Sequence, residues 1–292
     1  MNNVNYSCDL TQEQFNKYVV KYLPKVKTRR GRPKKYSNLA KFNACLYILH
    51  SGSQWRNLPK SYPPFRIVHK YFRSLVIGFK LEAIICNLNK ALAKNLSKQN
   101  IQSIRAPEVM LIIDSKSIRS SEYFERKFYG NDGHKKIRGI KLCACVDRLK
   151  RCWRVAGIKA NQSEHKGVKI ALEGTVYSAI KPNSMIVIGD RYFDSDPLKK
   201  EVYRRFNLHL VSLRRNRNKM RKLQLPEDEL IENNKQKQLK RIISPWRWIV
   251  EQFFAHLEKA RRLVMIYDRK LNSYLGFVKL RVITLLIRRM SN

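Results

Sequence analysis

The chain has 292 residues, enough for one large domain or two modest ones, and its 43% hydrophobic content argues against disorder of the whole chain. Lys and Arg number 61 against 22 Asp and Glu, a net charge of +39 that repels itself unless a polyanion is bound; nucleic acid fits that need best, ahead of a membrane surface. No uninterrupted apolar run approaches the ~18 residues of a spanning helix, and MNNVNYSCDLTQEQF lacks the basic-then-apolar order of a signal peptide, so neither is expected.

Residues 10–25 have the pattern of a short amphipathic helix. KTRRGRPKKYS, residues 27–37, reads as an extended basic linker. Its Arg29, Arg30, Arg32, Lys34 and Lys35 suit either a narrow A·T minor groove or a solvated tether. NLAKFNACLYILHSG has helical spacing at Leu39, Phe42, Leu46 and Leu49 and stops at Gly52. After a turn-rich connector, FRIVHKYFRSLVIGF repeats the pattern, with Phe65, Val68, Phe72 and Leu75 on its apolar side. Arg66, Lys70 and Arg73 lie on its other side, so a helix, a connector and a basic second helix suggest a helix-turn-helix-like DNA reader. Residues 79–97 add a further helix.

From residue 109 the period changes. Residues 109–114 read as a strand; IRGIKLCACVD and RCWRVAGIKA alternate and are joined by the polar turn DRLKR, a hairpin signal. A helix (HKGVKIALEGTVYSAI), a strand (SMIVIGD), a helix (DPLKKEVYRRF) and a strand (LHLVSL) follow, giving the order β-β-β-α-β-α-β. Residues 216–243 read as a flexible polar loop, and Ser244 followed by Pro245 as a helix start. The last segment is an amphipathic helix interrupted by Lys279 and Arg281. Cys8, Cys45, Cys86, Cys143, Cys145 and Cys152 show no metal-finger spacing, which points to core roles in a reducing cytosol.

Two scarce carboxylates, Asp114 and Asp190, end two apolar strands in a strongly basic chain. That strand order can set the first and fourth strands side by side and parallel, ~4.8 Å apart, with both acids at the carboxyl end of the sheet. Unpartnered, they repel, and a divalent cation such as Mg²⁺ or Mn²⁺ removes the conflict. The helix after Ser244 carries Trp246, Ile249, Val250, Phe253, Phe254 and Leu257 on one side. Arg247, Glu251, Glu258 and Arg262 fall on the opposite stripe at 100° per residue, where Glu251 can reach a neighbouring site and Glu258 can pair with Arg262.

These stretches resemble the bacterial insertion-sequence transposases of the DDE class, especially the group named insertion sequence five. YILHSGSQWRNLPKSYPPFRIVHKYFRSL resembles that group's N-terminal DNA-binding region, LIIDSKSIRS its first-Asp motif and GIKLCACVD the strand after it. VIGDRYFDSDPLKK resembles its second-Asp motif and RWIVEQFFAHLEKARRL its Glu helix. The resemblance implies a helical N-terminal DNA-binding domain over residues 1–100 and an α/β catalytic domain over 105–292, a ribonuclease-H-like mixed sheet followed by the Glu-bearing helix. It implies Asp114, Asp190 and Glu251 as catalytic metal ligands for two Mg²⁺ or Mn²⁺ ions. It also implies phosphate contacts by Arg247, Lys259 and Arg262, and double-stranded DNA as partner, both terminal inverted repeats and target. A homodimer assembled on DNA and a cytoplasmic, nucleoid-associated location follow from the same likeness. Two positions depart from the family signature: Ser244 stands where a Tyr is usual, and Glu258 where a Lys is usual. Two alternatives stay open, a decayed or repurposed DNA-binding protein and a ribonuclease-H-like nuclease without strand transfer.

Overall fold

The computed structural model describes residues 6–23, 35–98, 110–179, 185–213 and 227–291. Arg29, Arg30, Arg32 and Lys34 lie outside the described residues; Lys35 is exposed, with its Nζ 5.7 Å from the centre of the Tyr36 ring.

Four helices come first: α1 (Gln12–Tyr18), α2 (Asn38–Ser51), α3 (Phe65–Ile77) and α4 (Lys80–Lys98). Thr11 and Gln14 close a capping box at the start of α1. Ser37 caps α2, which ends at Gly52 with φ 72°. A Cβ at Gly52 would also stand 3.0 Å from the Arg261 Cβ, so both backbone conformation and space call for glycine there. Helix α2 buries Phe42, Leu46 and Leu49 as its spacing implies, and Ala44, Cys45 and Ile48 as well, because it is surrounded by other elements. Helix α3 buries Val68, Phe72 and Leu75 and leaves Arg66, Lys70 and Arg73 exposed.

The sheet contains β1 (Met110–Arg119), β2 (Gly130–Asp132), β3 (Ile137–Asp147), β4 (Cys152–Lys159), β5 (Met185–Ile188) and β6 (Leu208–Val211). Its order is β2-β3-β1-β5-β6, with β4 also pairing with β3. β3 is antiparallel to β1, β2 and β4, whereas β5 is parallel to both β1 and β6. The short β2 is the one strand that the alternation pattern did not suggest. Alternate residues split the core between the two faces. Leu111, Ile113 and Val187 pack under α5 (Glu164–Ala179) and α6 (Asp196–Phe206). Ile112, Ile118, Ile140 and Ile188 belong to the larger cluster with α7 (Glu227–Glu258) and α8 (Leu271–Ser291).

β1 does not end at Asp114, where its apolar run stops, but continues to Arg119 in register with β3. Two further expectations need correction. Residues 227–243, read as flexible loop, form the first half of α7, so Ser244 and Pro245 sit inside a 32-residue helix and do not start it. The stretch is polar but rich in Glu, Lys and Gln, all good helix formers, and composition alone does not separate such a helix from a loop. Proline removes one N–H bond and crowds one carbonyl; the apolar stripe of Ile249, Val250, Phe253, Phe254 and Leu257 nonetheless anchors the helix beyond it. The rest of that proposed loop, up to residue 226, lies outside the described residues. The second correction concerns Arg262, which is not on this helix. The chain leaves α7 after Glu258 and makes a 3-10 turn over Arg261–Leu263. Arg262 then pairs with Asp268 at 2.9 Å, both side chains 7% exposed, and its guanidinium lies 5.2 Å from the Phe277 ring. That arginine holds the fold together and is withdrawn from any DNA-facing stripe.

Helix α8 returns to the N-terminal helices. Phe277 stacks on Phe72 at 4.4 Å, Lys279 pairs with Glu82 of α4, and the Tyr18 hydroxyl donates to the Met290 carbonyl at 3.4 Å. No helix of the described residues is long and apolar enough to cross a membrane.

Candidate active site

The parallel register sets the first two acids. Ile112 of β1 pairs with Ile188 of β5, and Asp114 and Asp190 each follow by two residues. A period of two returns each side chain to the face of its isoleucine, the face covered by α7. Gly189 N donates to the Val211 carbonyl at 3.0 Å, extending the ladder to the edge of Asp190. Asp190 then caps the 3-10 turn Arg191–Phe193 through the Arg191 N–H.

Asp114 is poorly satisfied for a largely buried carboxylate. Among the described residues its one hydrogen bond comes from its neighbour, the Ser115 N–H at 2.8 Å. Asp147, at the far end of β3, shows the contrast: it accepts from Arg151 N at 2.9 Å, Arg151 Nε at 2.6 Å and Trp153 Nε1 at 2.8 Å. Burial pushes the Asp114 carboxyl up to about 6, and the negative charges of Asp190 and Glu164 add to the rise. Ser115 N–H and Arg247 oppose it. Asp114 is thus a carboxyl raised by burial with the negative charge of a second carboxyl acting on it.

The third acid comes with its arginine. Arg247 reaches Asp190 Oδ1 at 3.7 Å with one Nη and Glu251 Oε1 at 3.7 Å with the other. The guanidinium thus stands between the two acids and supplies the positive charge of the site. Glu251 is the most open of the three, with 60% of its side chain exposed. Among the described residues no group of three or more His, Cys, Asp or Glu side chains is close enough to hold a metal ion. The three acids offer carboxylate oxygens only, the donor type that suits a hard divalent cation.

The sequence reading missed Lys116. Two residues beyond Asp114 on the same face of β1, its Nζ meets Glu258 Oε1 at 2.6 Å. Glu258 therefore pairs across the helix–sheet seam, not along its own helix with Arg262. The signal was present in the period-two spacing of Asp114 and Lys116, but only the seating of α7 on β1 shows which helix residue lies opposite. Lys259 is exposed just past the end of α7. Behind the sheet, Lys141 and Glu164 form a second, mostly buried pair at 3.7 Å, and Lys141 also donates to the Gln162 carbonyl.

Comparison with known families gives two matches. Residues 10–77 match the family described as "Putative transposase of IS4/5 family", and residues 105–286 match the "Transposase DDE domain". No curated protein matches the chain.

Proposed function

Starting from a chain that belongs to the transposase DDE-domain family, we propose that it is the DNA-cleaving and DNA-joining enzyme of an insertion sequence, with Asp114, Asp190 and Glu251 as its catalytic acids. One observation carries the reading: β1 and β5 run parallel in a register that delivers Asp114 and Asp190 two residues past a paired Ile112 and Ile188. The helix bearing Glu251 is tied to Asp190 through Arg247. The strand order, with three antiparallel strands on one side of β1 and two parallel strands on the other, supports a ribonuclease-H-like fold. Exposed Arg66, Lys70 and Arg73 on α3 support a helix-turn-helix-like reader of terminal repeats.

Asp114 and Asp190 would hold Mg²⁺ or Mn²⁺, with Glu251 as the third ligand. Such ions, when bound, lower the pKa of a water or 3′ hydroxyl and stabilise the leaving oxygen. The chain's own groups do the rest. Asp114, raised by burial, gives up its proton more readily as positive charge approaches. Arg247 spans Asp190 and Glu251 and is placed to turn its guanidinium to a phosphodiester when the acids are otherwise neutralised. Lys116, beside Asp114, adds a second cation facing the same seam.

The test uses the full-length protein, a duplex carrying the end of its element, and Mg²⁺ or Mn²⁺. Strand cleavage followed by joining of the 3′ end to a second duplex is expected, and Asp190→Asn should abolish both steps while leaving DNA binding intact. Cleavage without joining would reassign the chain to a nuclease. DNA binding with neither step would leave it a DNA-binding protein only.

A further inference from the structure

A second cationic surface lies away from the three acids. Where β2, the start of β3 and the end of β4 meet, an open cleft of about 800 Å³ is lined by Arg126, Lys127, Arg138 and Lys159. Lys127 is paired with Glu125 at 3.2 Å. Arg126, Arg138 and Lys159 have no carboxylate within ion-pair distance among the described residues. Three cations left uncompensated around one concavity repel one another, an arrangement that favours a bound anion. The cleft is also shaped. Arg138 lies over the Tyr129 ring at 4.3 Å, which fixes its guanidinium as a flat face. Asn131 and Asn161 add amide groups to the wall. A Cβ at Gly130 would come within 2.1 Å of Asn161 Oδ1, so a larger residue there would displace the Asn161 side chain from the wall.

The cleft adjoins the far end of β1, the strand that carries Asp114. The Arg138 carbonyl accepts from Ser120 N at 2.9 Å, and Ser120 follows Asp114 by six residues on the path of β1. At ~3.3 Å per strand residue this is roughly 20 Å, or about six nucleotides at 3.4 Å per step. We propose that this cleft is a second DNA site, gripping the phosphodiester backbone about six nucleotides from the bond held at Asp114 and Asp190. The inference rests on the proposed function and adds a surface to it. The grip reads no base, because the cleft offers cations, one stacked arginine and two amides to a repeating phosphate track.

The experiment measures binding of the full chain to a fluorescein-labelled duplex of random sequence over a range of salt. Comparison is with R126A/R138A/K159A and with a control, R204A/K237A/K240A, that removes the same charge from exposed positions elsewhere. Loss of three phosphate contacts flattens the dependence of log affinity on log salt by about 2.7, so the fall in affinity between 50 and 200 mM salt shrinks by about 40-fold. The control should keep the parental slope, and R126K/R138K/K159R should restore it. Should the triple variant not fold, R126A and K159A singly carry the decision, each flattening the slope by about 0.9. A parental slope in the cleft variants, or an equal change in the control, overturns the proposal while leaving the function intact. A parent that does not bind duplex at all refutes the function itself.

Discussion

Replacing Asp114 by Asn should make this protein more stable at neutral pH. Burial holds the folded-state carboxyl at about 6, against 3.8 for an ordinary aspartate. The folded state therefore binds this proton more tightly than the unfolded chain does. The stability this confers is complete below about pH 4, is lost as pH rises through 6, and is absent above it. Two pK units at 1.36 kcal/mol each amount to ~3 kcal/mol, which Asp114→Asn removes from the debit side at pH 8. The amide oxygen of Asn keeps the acceptor for the Ser115 N–H, so little else changes. Thermal melts of parent and variant at several pH values read the effect, at ~2–4 °C per kcal/mol for chains of 150–250 residues. The variant should melt several degrees above the parent at pH 8, and the gap should close toward pH 4. Added Mg²⁺ should raise the parent and leave the variant unmoved, because a bound cation reverses the sign of the Asp114 charge effect. A gap that does not vary with pH, or a parent that outlasts the variant at pH 8 without metal, would refute the electrostatic account.

Three further outcomes follow from other contacts. A double-mutant cycle on Lys116→Gln and Glu258→Gln should give a coupling of about 0.2–1 kcal/mol, since both side chains are partly solvated, and high salt should shrink it; Glu258→Lys alone would face Lys116 and should not speed cleavage. Arg262→Ala leaves Asp268 buried without its partner and should cost ~3–5 kcal/mol in a denaturant titration, while a surface cation such as Lys259→Ala should cost under ~0.5 kcal/mol. Arg247→Gln removes a charge that holds the folded-state Asp114 carboxyl down, so the stability gap between Asp114→Asn and its background should still open near pH 4 but grow larger and level off at a higher pH; a smaller gap would contradict the placement of Arg247.

Residues that alternate or recur with one clear period were legible before any coordinates. Apart from β2 and the second half of β1, the strands from Met110 to Val211 and the helices α2 to α6 fall where apolar spacing puts them, and the parallel pairing of β1 with β5 is one that the strand order allowed. Asp114 and Asp190 were legible for the same reason, as polar residues at the ends of buried runs. What failed was extrapolation past a helix end. Arg262 was placed by adding 100° per residue from Glu251, but the helix stops at Glu258, and one turn of 3-10 helix sends Arg262 inward to Asp268. The first half of α7 failed in the opposite sense, because a polar helix carries no apolar stripe to betray it. Lys116 was invisible for a third reason: its partner is 142 positions away, and a pair across two elements has no period.

The packing of α8 against α3 and α4 bears on the order in which this protein is made. Phe72 waits for Phe277 and Glu82 for Lys279, each about two hundred residues later in synthesis. A chain that has left the ribosome only as far as α4 shows water an apolar face whose cover has not yet been translated. The packing of the front helices is thus complete only once α8 has been made, and it closes a long loop at an entropic cost that their own helix propensity does not offset. Exposed Arg66, Lys70 and Arg73 sit on α3, so their cationic face takes its final place only when the last helix of the chain docks against it.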